Sequence, residues 1–246
     1  MKRFFVTMVA AAAAFSAFAQ AAPTAAEILA KVDANEKFSS IEYEGRMELV
    51  LAGKTRVKTM KAVALGADKA FIEFTNPEDR GVRYLKLGDE LWMYFPKEDD
   101  TVKISGHLLR EGMMGSDVSY EEALESDSLS EIYDAVVKGR EDYEGRPVWV
   151  LELAAKKSSA TYARQILRVD AERYVTLSAE LYAKSGKLLK ISRTLEVRLI
   201  GTRWYPVKVE LSDKLRKDSR TTFELVSIKL DVPVDPKRFS LSELGK

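Results

Sequence analysis

Apolar and polar positions alternate along most of the chain. In "SIEYEGRMELVL", Ile41, Tyr43, Met47, Leu49 and Leu51 fall on one side, the period of a strand with one buried face. The same alternation returns in "TRVKTMKAVAL", "KAFIEFT", "VRYLKL", "ELWMYF" and "TVKIS". It resumes near residue 131 with "EIYDAVV", "PVWVLEL", "TYARQILRV", "VTLSAELYA", "LLKISRTLEVRLI", "RWYPVKVEL" and "RTTFELVSIKL". Gly53-Lys54, Gly66-Ala67-Asp68, Gly88-Asp89, Glu144-Gly145 and Lys184 to Lys187 supply tight turns. Pro77 and Gly81 mark a longer loop. Roughly a dozen strands with short connections make an antiparallel meander in one domain, with no fixed-period repeat and no linker.

Two stretches break the alternation. Thr24-Ala25-Ala26-Glu27 has the spacing of a capping box, and Ile28, Leu29 and Val32 mark one apolar face, so a helix is expected from Thr24 to about Asn35. In the middle of the chain, "LLREGMMGSDVSY" alternates like no strand and is too short for a helix. Leu108, Leu109, Met113 and Met114, with Val118 and Tyr120, make it oily; Gly112 and Gly115 are candidate joints, and Ser119-x-x-Glu122 is a second capping box. It reads either as a lid over an apolar mouth or as an ordinary buried loop.

A sheet this wide does not stay flat; twist makes it curl. The expected fold is therefore mainly β with some α: a curved, unclosed antiparallel barrel with a helical lid around a hydrophobic cavity. Tyr43, Met47, Phe71, Phe74, Trp92, Tyr94 and Trp149 are the candidate cavity residues.

Composition narrows the function. Lys2 and Arg3 precede the uncharged, alanine-rich run Phe4 to Phe18, and Ala17-Phe18-Ala19 fits a cleavage site. Residues 1–19 thus read as a cleaved signal peptide and residues 20–246 as a single soluble domain bound for the periplasm. Losing Lys2 and Arg3 from 39 basic residues, against 38 acidic ones, turns a formal charge of +1 into −1. A chain so near neutrality offers no pull on nucleic acid. The absence of Cys removes thiol nucleophiles, thiolate metal sites and a lipid-anchoring cysteine, and a single histidine, His107, removes multi-His metal sites. No nucleophile elbow, Walker loop or dinucleotide fingerprint is present. Glu98, Asp99 and Asp100 lack the EF-hand spacing. No enzyme, cofactor or metal is expected.

"MMGSDVSYEEAL", "GTRWYPVKVEL" and "TTFELVSIKLDVPVDPKRFS" resemble the outer-membrane lipoprotein-sorting family, the LolA-like group. Within the first string, Met114 to Glu121 is similar to a branch associated with lipid-exporting transporters. The resemblance implies an unclosed barrel whose lidded cavity receives acyl chains and carries them through the periplasm towards the outer membrane. The implied partners are an acylated lipoprotein or a lipid, an inner-membrane lipid exporter, and transient contacts with membrane proteins. The same fold also serves periplasmic sensors that bind lipoproteins and a signalling partner, which is the alternative reading. No single position matches the basic residue that locks the lid in the best-known carriers.

Overall fold

The structure, a computed structural model, describes residues 22–125, 127–158 and 160–246. The expected leader lies outside the described residues. Helix α1 (Ala25–Glu36) starts where the sequence places it: Thr24 and Glu27 form both halves of the capping box. No described helix is long and apolar enough to cross a membrane.

Thirteen strands form one antiparallel sheet. The first six are β1 (Ser40–Leu51), β2 (Lys54–Leu65), β3 (Lys69–Phe74), β4 (Arg83–Leu87), β5 (Glu90–Phe95) and β6 (Asp100–Ile104). The remaining seven are β7 (Tyr133–Tyr143), β8 (Arg146–Ala155), β9 (Arg164–Asp170), β10 (Thr176–Tyr182), β11 (Leu188–Ile200), β12 (Arg203–Asp213) and β13 (Arg220–Leu230). Their spatial order runs β6 to β1, then β13 down to β7. The sheet is thus two meanders zipped together where β1 pairs with β13, from Ile41–Leu230 to Val50–Arg220. The sheet does not close on itself: its free edges are β6 and β7, consecutive in sequence and at opposite ends of the order.

That topology fixes the position of the oily segment. Residues 105–132 must cross from one edge of the open barrel to the other. They do so through two 3-10 turns, Gly106–Arg110 and Met113–Gly115, and two short helices, α2 (Tyr120–Leu124) and α3 (Leu129–Ile132). "EIYDAVV" begins two residues later as a strand than the alternation indicates, at Tyr133 rather than Glu131. Ser128 and Glu131 form a third capping box, so Glu131 and Ile132 finish a helical turn before β7 begins.

The inner face of the sheet is covered by two bodies. Helix α1 buries Ile28, Leu29 and Val32 against Trp149, Leu151, Leu153, Leu167, Val169 and Leu181 of β8–β10. The crossing segment packs Leu109, Met113, Met114, Tyr120 and Leu124 against Met47, Leu49, Met60, Phe74, Tyr84, Leu91 and Met93 of the other half. On the outer face of β2–β5 the C-terminal tail lays Phe239 and Leu244, the latter in helix α4 (Leu241–Leu244), over Val63, Phe71, Leu85 and Tyr94.

Candidate functional site: the inner face and the segment that covers it

Of the seven candidate cavity residues, Tyr43, Met47, Phe74 and Trp149 lie on the inner face. Tyr43, Met47 and Phe74 face the crossing segment, and Trp149 faces α1. Phe71, Trp92 and Tyr94 do not, and this corrects the sequence expectation. Phe71 pairs with Leu85, Leu85 with Trp92, and Arg83 with Tyr94, all on the outer face beneath the tail. The inner positions of the same strands are Ile72, Tyr84, Leu91 and Met93. Alternation gives two faces but not their direction, and in β3–β5 both faces are apolar because the tail covers the outer one.

After the leader the chain has five methionines, Met47, Met60, Met93, Met113 and Met114. All five belong to the cluster between the crossing segment and the sheet. The Met114 sulfur accepts a hydrogen bond from the Tyr84 hydroxyl at 3.0 Å, and the Tyr84 and Tyr120 hydroxyls lie 3.1 Å apart. Burial, then the neighbouring Tyr120, pushes the Tyr84 hydroxyl above the usual tyrosine range. Leu108, expected to face inward, is 38% exposed and outside the cluster. Val118 is half-buried and contributes its carbonyl, which accepts from the Met113 amide at 2.7 Å.

The two glycines differ in what they do. Gly115 has φ +80, a backbone only glycine adopts without strain, and a side chain there would meet open space. Gly112 does not act as a free joint, which corrects the hinge expectation. It bridges Ser119, and a Cβ would sit 2.1 Å from the Ser116 carbonyl oxygen. Gly112 is there because two stretches of backbone touch. The segment from Glu111 to Tyr120 is therefore a closed knot; the Tyr120 amide also donates to Glu111 O at 3.1 Å.

The knot is fastened to the opposite half of the sheet by polar contacts. Asp117, 2% exposed, is the centre. Its carboxylate accepts from Thr221 at 3.1 Å, from Arg216 at 3.3 Å and from the Ser219 hydroxyl, while its amide donates to Thr221 Oγ1 at 2.9 Å. Arg216 also donates to Ser116 O at 2.9 Å. Lys190, an inward-facing base on β11, donates to Asp117 O at 2.6 Å and pairs with Glu122. Glu122 closes the Ser119 capping box and accepts from Tyr162 as well. Burial, then the Glu122 charge, raises the Tyr162 hydroxyl. Oily contacts thus hold the segment to one half of the barrel and salt bridges to the other. The basic residues with no match in the sequence reading are Lys190 and Arg216. Lys190 was findable as a lone base at an inward strand position; Arg216 sits in a loop and carries no such signal.

His107 is exposed in the first 3-10 turn, and no group of three or more His, Asp or Glu side chains among the described residues could hold a metal. A groove of about 400 Å³ is lined by Val50 and Ile191 together with Arg193, Glu210, Ser212 and Lys214, a mixed apolar and polar surface.

A family model described as "Uncharacterized protein" matches residues 66–246. No curated protein matches the sequence significantly. Among solved structures, a DUF1329 family protein from Desulfovibrio piger is similar at 24% identity and TM-score 0.82, over 89% of this chain and 97% of that one. A domain assigned to outer membrane lipoprotein-sorting proteins, from Vibrio parahaemolyticus, follows at 21% and 0.79, over 90% and 98%. A LolA superfamily protein from Nitrosomonas europaea gives 23% and 0.73, over 90% and 99%.

Proposed function

We propose, from the premise that the chain belongs to the family matched over residues 66–246 and has a LolA-like fold, that it is a periplasmic carrier of acyl chains. The single observation that carries this reading is the gathering of all five post-leader methionines between lid and sheet. Methionine is flexible and polarizable, and a surface made of it repacks around apolar partners of varied shape. A core built only for stability has no reason to collect every methionine at the one interface whose other side is a separable segment.

The mechanism is transfer without bond chemistry. The lid lifts from Met47, Phe74 and Tyr84, and acyl chains take its place against the same side chains. Each buried CH₂ contributes about 0.8 kcal/mol, so one chain outweighs the apolar contact of the lid and the polar fastening decides whether the lid recloses. Delivery goes to a receiver of equal or higher affinity on the way to the outer membrane, and loading comes from an inner-membrane exporter.

The experiment is to replace Met113 and Met114 together with Ser and measure both melting temperature and displacement of a lipophilic dye by lipid. A carrier lid predicts weakened lipid binding with little change in melting temperature. An ordinary buried loop predicts the reverse, and that result would remove the carrier reading.

A further inference from the structure

Strand β4 turns a lysine towards the inside of the open barrel. Tyr84 faces the lid, so the alternation sends Leu85 outward, beneath the tail, and Lys86 inward. Lys86 pairs with Leu91, and Leu91 with Ile104; both of these partners belong to the cluster under the lid. On its other side the row continues through Ala70 and Ala64 to Ile41 of β1. Lys86 is 6% exposed in this place.

Two other covered lysines on the inner face each have an acid. Lys58, 7% exposed, pairs with Asp79, and Lys190 pairs with Glu122. Among the described residues no hydrogen bond or ion pair reaches the Lys86 ammonium. Lysine is rarely covered without a partner, because an unpaired charge then gives up hydration for nothing in return. Burial holds this ammonium below the usual lysine range, against the pull of Asp68 and Asp89. Those two acids sit in the turns that close this end of the sheet, which the Gly88 amide ties together by donating to Asp68 O at 2.7 Å.

The face beside Lys86 is open. Ala64 and Ala70 are the smallest side chains of its row, and the inward residues Tyr43, Ala70 and Ile72 are half-buried, whereas Met47, Phe74 and Tyr84 under the lid are buried. Solvent therefore reaches a shallow trough that starts at the lysine and borders the methionine cluster at Tyr43 and Ile72. From Lys86 to Ile41 the row crosses three strand spacings, about 14 Å. A bilayer's hydrocarbon core of about 30 Å is two chains deep, so the trough has the length of one chain.

We propose that Lys86 is the head-group site for an acidic amphiphile, whose anionic head takes the ammonium and whose chain lies along the alanine trough beside the methionine cluster. This site rests on the carrier reading and names its cargo class: chains that end in an anion. The cargo supplies the acid that the protein withholds from this one lysine, while the two paired lysines stay with theirs.

The test measures binding of decanoate, decanol and acetate at pH 8, below micelle-forming concentration, by calorimetry, to the wild type and Lys86→Met. Wild type should bind decanoate at least about tenfold more tightly than decanol, the scale of a charge-assisted contact. Lys86→Met keeps the apolar stem and removes the charge, so it should lose that preference, bind decanol as before and melt no lower than wild type. Acetate should bind weakly to both. Equal wild-type affinities for decanoate and decanol, which need no variant to read, would overturn this inference and leave the carrier reading standing; Lys86 would then be a packed stem with its ammonium reaching water. A decanoate preference that survives in Lys86→Met would overturn it too, by placing the head group on another base. Acetate binding as tightly as decanoate would overturn the amphiphile in favour of a small free anion. Failure of both long-chain probes to bind would overturn the carrier reading and this inference with it.

Discussion

Asp117→Asn should loosen the lid without loosening the sheet. The side chain is 1% exposed and its carboxylate holds Thr221, Ser219 and Arg216, the last 33% exposed. A net contact to a charged group is worth about 1.5–3 kcal/mol. The amide keeps the shape and one acceptor, and the two hydroxyls can turn to meet its N–H₂, so the loss is that of roughly one charge-assisted contact, about 2–3 kcal/mol. That corresponds to a rise of about 30- to 150-fold in the population of the open lid. Because the lid docks as a knot, the loss belongs to the lid's own closing equilibrium. Hydrogen exchange read by mass spectrometry should therefore speed up by this factor in peptides covering 106–124. Peptides from β8–β10, buried under α1, should keep their rates. An equal acceleration in both regions, or none in the lid, would refute the idea that Asp117 fastens a separable segment.

Three further outcomes follow from the same geometry. Phe71→Ala should lower the melting temperature by detaching the tail and leave lipid affinity unchanged, whereas Phe74→Ala, at a 0% exposed inner position, should cost about 3–5 kcal/mol and weaken lipid binding too; equal effects on affinity would return Phe71 to the inner face. Gly112→Ala should open the knot, because its Cβ meets Ser116 O, and should accelerate lid exchange more than Gly115→Ala, whose left-handed backbone costs about 1 kcal/mol; the opposite ranking would restore Gly112 as a joint. Glu36 has a folded pKa of about 7 against an ordinary 4.5, so the folded state binds its proton more tightly and stability declines as pH rises through that window. Melting curves should accordingly show Glu36→Gln gaining on wild type between pH 5 and pH 8, and a gap independent of pH would contradict the desolvated carboxylate.

The strands were legible because a half-buried sheet writes its period directly into the chain. The α1 start was legible through Thr24 and Glu27, and the oily run after β6 stood out as a break in the alternation. Three things were not. The face of β3–β5 was ambiguous because the tail's Phe239 and Leu244 make the outer side apolar as well. The edge-to-edge crossing of residues 105–132 depends on β1 pairing with β13, a contact between distant parts of the chain that no local pattern encodes. The fastening of Asp117 joins a lid residue to a loop about a hundred positions later, and only folding brings Arg216, Ser219 and Thr221 to it.

The central claim is that acyl chains occupy the space between lid and sheet, and the five methionines give it a direct probe. With the methionine methyls carbon-13 labelled and the leader removed, the protein should show five methyl signals in NMR, from Met47, Met60, Met93, Met113 and Met114. Titration with a long-chain lipid should move Met113 and Met114 most, as the lid lifts, and Met47, Met60 and Met93 with them, as chains replace it. Five signals that stay in place while the lipid demonstrably binds would put the cargo elsewhere on the protein and contradict the account.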